Sequence, residues 1–247
     1  YANNSMFGPV ISETEIEAKE NETISKEDLE KIKILIPNQV GETIRNLDGI
    51  AYLKNLKVLC NFKLDVENLD LSHNKELETI LFNTDSSSEI SKIKKIIVEE
   101  DNKLKLLALE LENETLDISN LKTLEVVILK NGNIKNIVLP NNIKKLDLAF
   151  NKISSIVLPE GVEDVNLDAN LIENIKIPSK VIKANISRNK ISSIDLSDAI
   201  KLERLESRFN PIESIDLTKS VNLKFIELKG AKIKAKTIDF SNNPKLE

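Results

Sequence analysis

Few side chains in this chain could do chemistry, and their spacing argues against catalysis. The single His, His73, sits in a polar Leu-Ser-His-Asn stretch and reads as a solvated turn residue. The single Cys, Cys60, has no neighbouring His or Asn to activate a thiolate, and it cannot form an intrachain disulfide. Asp70, Asp117, Asp195, Asp216 and Asp239 recur in an apolar-Asp-apolar-Ser/Thr phrase. Aligned carboxylates could hold calcium, but the Gly-rich spacing of a calcium roll is missing, as is Cys/His metal-ligand spacing. Six Gly do not form a phosphate loop. Lys229, Lys232, Lys234 and Lys236 form a basic stripe too short, and too poor in aromatic partners, for a nucleic-acid site. With no Trp and two Tyr, a stacking platform for sugars is not expected either. The expectation is a chain that is not an enzyme, holds no metal or cofactor and binds no nucleic acid.

The elements that position these residues repeat. An apolar residue, two others, an apolar residue, one other, an apolar residue, two others and Asn run from Ile143 to Asn151, Val162 to Asn170, Val181 to Asn189 and Leu202 to Asn210. In the last of these Ser207 takes the third apolar slot. Starts at 143, 162, 181, 202 and 223 give steps of 19, 19, 21 and 21 residues. Earlier copies begin at Leu56, Leu77, Leu104 and Leu124, with Asn61 in a buried slot of the first, and Glu112 and Gly132 in the Asn slots of the last two. The step of 27 from 77 to 104 carries an insertion, placed at the Ser-rich stretch 85–89. The phrase resembles the leucine-rich repeat. That resemblance implies an α/β solenoid, a horseshoe with a parallel concave β-sheet, extended or 3-10 convex segments and a short N-terminal helical cap.

Each copy has a second apolar phrase, such as Ile153, Ile156 and Leu158, or Ile172, Ile175 and Ile177. Two phrases per coil make a two-sided unit that buries its apolar residues only against neighbouring coils. After each strand the amides lose their sheet partners, and a carboxamide can both donate and accept there. Asn151, Asn170, Asn189 and Asn210 are expected to form a structural ladder down that turn. In the Asp phrase, the Ser or Thr hydroxyl suits an N-cap for the turn into the next strand. Leu139-Pro140, Leu158-Pro159 and Ile177-Pro178 use Pro to end the extended segment instead.

The domain reading is a polar linker or arm over 1–24, acidic from Glu13 to Glu22, a cap and approach over 25–55, and a repeat domain of about nine coils over 56–247. Ser25 with Asp28 three residues on is close to a capping box, so a helix is expected over Lys26–Lys33. Ile24-Ser25-x-x-Asp28-Leu29, followed by Ile44-x-x-Leu47-Asp48-Gly49-Ile50-x-x-Leu53-x-x-Leu56, resembles the cap and first repeat of internalin-like bacterial surface proteins. That family's coils are a regular 22 residues and these are not; the 19-residue steps with Pro resemble the short repeats of secreted bacterial effectors. The chain begins at Tyr1 and shows no C-terminal cap, so it is read as a piece of a longer protein, its final Leu-Glu an alternative tag junction. It is 30% charged with net charge −5, which argues against a polyanion binder as a whole. No apolar run approaches about 18 residues, so membrane insertion is not expected.

On the concave strands, residues between the buried positions face solvent. They are apolar in the first four copies, among them Phe62, Leu81, Leu106, Val126 and Ile128, and charged later, among them Arg204, Glu206 and Arg208, with Phe225 in the last. Two readings stand. The apolar half is an interface, or it is covered by the cap or the inserted loop, or misregistered by one residue. The resemblance implies an extracellular or surface-bound bacterial module, monomeric, that binds a protein ligand in adhesion or host contact. The alternative is an intracellular scaffold or regulatory domain of a larger protein.

Overall fold

The computed structural model describes residues 24–36, 43–60, 63–82, 93–234 and 237–247. The acidic arm, Asn61, Phe62, the Ser-rich insertion and Lys236 lie outside the described residues.

Ten short strands stack in chain order into one parallel sheet: Ile34–Leu35, Val58–Cys60, Thr79–Leu81, Leu106–Ala108, Val126–Ile128, Lys145–Asp147, Asp164–Asn166, Lys183–Asn185, Arg204–Glu206 and Phe225–Glu227. Each coil contributes one strand, and equivalent residues pair, as Val127 does with Leu146 and Val165 with Ala184. The middle residue of each strand from Leu59 to Leu205 is buried. The register is therefore the one the apolar spacing sets, in the early coils as in the late ones. On the opposite side the second phrases form two-stranded parallel pairs, Thr115–Asp117 with Asn136–Val138 and Asn174–Lys176 with Ser193–Asp195 among them. Their apolar residues, such as Leu116, Ile175 and Ile194, point inward and meet those of the sheet in one continuous core.

The first strand, Ile34–Leu35, lies upstream of the earliest copy read from the sequence. Its partner is Val58–Leu59, so Ile32-x-x-Leu35 plays the part of Leu56-x-x-Leu59. The helix ends at Lys31 rather than Lys33 for this reason: Ile32 is already extended, and the Lys33 carbonyl accepts from the Lys57 and Val58 amides. Ser25 caps the helix by accepting the Asp28 amide at 3.1 Å. Leu29 and Ile32 pack half-buried on the core.

Coil length has a simple origin. From Ile143 to Leu158, Val162 to Ile177, Val181 to Leu196 and Leu202 to Leu217 the separation is always 15 residues. What varies is the closing segment, which takes 4 residues after Leu158 and Ile177 and 6 after Leu196 and Leu217. The Pro coils close with one turn, in which the Val162 and Val181 amides donate to the Pro159 and Pro178 carbonyls. The Asp coils close with two successive turns, Leu196 to Ala199 and Ala199 to Leu202 in one, Leu217 to Ser220 and Ser220 to Leu223 in the next. Hence the 19- and 21-residue steps.

Candidate functional site

The sheet face divides into two halves. In the first, Leu81, Leu106, Val126 and Ile128 stand half-buried beside the buried strand centres. Ala108 pairs with both Leu81 and Ile128 and is covered by these larger neighbours. Cys60 and Glu110 are buried too, and burial raises the Cys60 thiol pKa. The apolar strip is thus narrower than alternation suggests. It ends where Lys145 and Asp147 pair with Val126 and Ile128.

The second half is charged and internally paired. Arg204 lies 3.9 Å from the centre of the Phe225 ring and donates to Glu206 at 2.7 Å. Arg208 pairs with Glu227 at 2.8 Å and Glu206 at 3.6 Å. Arg204, Glu206 and Arg208, alternate residues of one coil, form one cluster with Phe225 of the neighbouring strand.

Beyond the strands the chain turns at the Asn positions. Asn170 Nδ2 donates to the Leu148 carbonyl of the preceding coil at 2.9 Å and to its own coil's Leu167 at 3.1 Å. Its Oδ1 accepts the Ile153 amide at 3.0 Å. Asn151 and Asn189 repeat this arrangement. Asn210 varies it, because Nδ2 reaches Ser207 Oγ at 3.1 Å. That contact accounts for a Ser, fully buried, in an otherwise apolar slot. In the earlier Asn slot, Gly132 has no room for a side chain: a Cβ there would lie 2.6 Å from the Leu111 carbonyl oxygen.

The residue before each ladder position is left-handed. Asn131, Phe150, Ala169, Arg188, Phe209 and Gly230 have φ of 61°, 57°, 55°, 53°, 55° and 86°. Their amides extend the sheet's bonding from coil to coil, Phe150 to the Asp168 carbonyl and Arg188 to that of Arg208. Asn and Gly take this conformation at little cost; for other residues the strain is roughly 1–2 kcal/mol. Phe150 and Phe209 are nonetheless 47% and 54% exposed. Arg188 reaches across the small Ala169 to lie 4.9 Å from the Phe150 ring centre, while both ends of its guanidinium bond Asp168. This pairing raises the Arg188 pKa. Sequence reasoning missed this column, although non-Gly residues directly before Asn in a sharp turn are a usable signal.

The Asp phrase works differently from the expected hydroxyl cap. The carboxylate accepts the amide two residues on, Ser72 to Asp70 at 3.0 Å and Thr218 to Asp216 at 2.9 Å. The hydroxyls of Ser119 and Thr218 donate to the same carboxylates. A carboxylate is the stronger acceptor, so the Asp takes the capping role and the hydroxyl supports it. The Asp117 and Asp216 carboxyls fall below the usual range, mainly through these hydroxyls and then the amides. Among the described residues no three His, Cys, Asp or Glu are grouped to hold a metal ion.

No known family profile and no curated protein matches the chain. Solved structures share its fold. The functional domain of InlJ from Listeria monocytogenes is 21% identical with a TM-score of 0.51, over 90% of this chain and 59% of that one. A plant peptide hormone receptor in complex with RGF2 is 16% identical with a TM-score of 0.61, over 84% and 38% of the two chains. A leucine-rich repeat protein of Leptospira interrogans is 15% identical with a TM-score of 0.50, over 86% and 64%. The chain spans less than two thirds of the length of each. The shared fold is the leucine-rich repeat solenoid, a parallel sheet built one strand per coil.

Proposed function

We propose that this chain is a protein-protein interaction module of a bacterial cell-surface or secreted protein and binds a protein ligand on the concave sheet face. The observation that carries the reading is the half-exposed apolar strip of Leu81, Leu106, Val126 and Ile128 on a rigid parallel sheet. Apolar side chains held in register on a rigid surface suit a partner whose own apolar residues need covering, and little conformational entropy is lost on binding. The second to fourth copies supply that strip, and the charged copies beyond it supply orientation. The internalin-like approach from Ile44 to Leu56, which leads into the strand Val58–Cys60, supports a role in adhesion or host contact. A plant peptide hormone receptor of similar fold was solved in complex with RGF2.

The test is affinity capture from host-cell surface extract and from bacterial envelope extract, comparing wild type with a folded Leu81→Asp, Ile128→Asp variant. A protein retained by wild type and lost by the variant supports the reading. Equal capture by both, or capture by neither, contradicts it.

A further inference from the structure

We propose that the rim of the sheet from Phe150 to Lys229 is a second contact surface, built to take an acidic peptide segment carrying apolar residues. This deepens the protein-binding reading and rests on it.

Two independent observations point there. The first is the choice of residues in the left-handed column. Its ends use Asn131 and Gly230, which suit positive φ, while Phe150, Ala169, Arg188 and Phe209 occupy the same conformation against their intrinsic preference. Strain kept at exposed aromatic side chains, rather than relieved by Asn or Gly, marks residues retained for what they touch outside the fold. Gly230 gives way to one of them: a Cβ there would lie 3.2 Å from Phe209 Cδ1.

The second observation is how the charges are layered. Asp168, Glu206 and Glu227 side chains are 12%, 22% and 28% exposed, whereas Arg188, Arg204 and Arg208 are 49%, 42% and 43% exposed. The carboxylates lie beneath and the guanidiniums above, so a nearly neutral cluster presents a cationic outer layer. Lys229 adds to it, 5.6 Å from the centre of the Phe209 ring. Arg188, Arg208 and Phe209 line a pocket together with Asn185, Ser187 and the Asp168 and Glu206 carboxylates, which the guanidiniums pair. Guanidiniums fixed from below keep free N–H groups for an incoming carboxylate, and the flanking rings take apolar side chains.

A phage-displayed library of random dodecapeptides, panned against the 247-residue chain, tests the inference. Selected peptides should combine Asp or Glu with apolar residues and weaken as salt rises. Arg188→Gln with Arg208→Gln should weaken them by about tenfold or more, as loss of a charge-assisted pair does. Because that variant also uncovers Asp168, a second one is needed: Phe150→Asn with Phe209→Asn should raise the thermal midpoint while weakening the peptides. A purely structural role for these rings predicts a lower midpoint instead. Basic or neutral selected peptides, no selected peptide, or binding indifferent to both rim variants overturns the inference. Peptides lost only by Leu81→Asp with Ile128→Asp overturn it too, yet leave the sheet-face reading intact.

Discussion

Asn170 and its equivalents show why one side chain recurs at one position. Each carboxamide meets carbonyls of its own and the preceding coil and an amide beyond the turn, all away from water. Replacing Asn170 with Ala leaves those groups buried and unpartnered. The expected loss is about 2–4 kcal/mol in a urea melt, and a loss under about 1 kcal/mol contradicts it. The Asp turns make a prediction in pH. The Asp117, Asp195, Asp216 and Asp239 carboxyls are depressed in the folded chain, so unfolding raises their pKa and the unfolded chain binds more protons as acidity increases. Their contribution is complete above the unfolded value of about 4 and is lost as pH falls through the folded values. Urea midpoints should decline from about pH 5 to about pH 3. Asp117→Asn with Asp216→Asn should flatten the decline; an unchanged slope contradicts the assignment. These turns were legible in sequence as a phrase but not in mechanism, since the Asp and the hydroxyl compete for one role and only geometry decides between them.

The coil is the element that the sequence describes best. Apolar spacing alone locates nine strands, because a period-two pattern with one face buried admits one register. The strand at Ile34–Leu35 is not legible as a repeat, as its unit has Val40 in the Asn slot and falls within the stretch 25–55 read as cap and approach. Depth was less legible than direction. Cys60, Ala108 and Glu110 occupy outward-reading positions and are buried, because neighbouring Leu81 and Ile128 cover the first two and Asn131 of the next coil donates to the third. Coil interiors should behave as tightly packed. Leu167, fully buried, is expected to lose about 2–5 kcal/mol on replacement by Ala, measured by denaturant unfolding. Charge also orders the coils. Lys57, Glu78, Lys105, Glu125, Lys144 and Glu163 alternate just ahead of successive strands, with Lys144 and Glu125 paired at 2.7 Å. Glu125→Lys, which sets three like charges in a row, should lower stability by up to about 1 kcal/mol, less so at high salt. An effect independent of salt contradicts the electrostatic account.

At the scale of the molecule, the proposed binding function draws on one stacked parallel sheet. The apolar strip of the early coils and the Arg-Phe rim of the later ones lie along one continuous parallel ladder. A partner long enough to follow that ladder would meet apolar contacts first and charged ones beyond. The most direct measurement is hydrogen-deuterium exchange on the full 247-residue chain, free and with the captured protein bound. The account predicts slowed exchange in the strands Thr79–Leu81, Leu106–Ala108 and Val126–Ile128, with the back strands Thr115–Asp117 and Asn136–Val138 unchanged. Protection confined to the back strands would contradict binding on the sheet face.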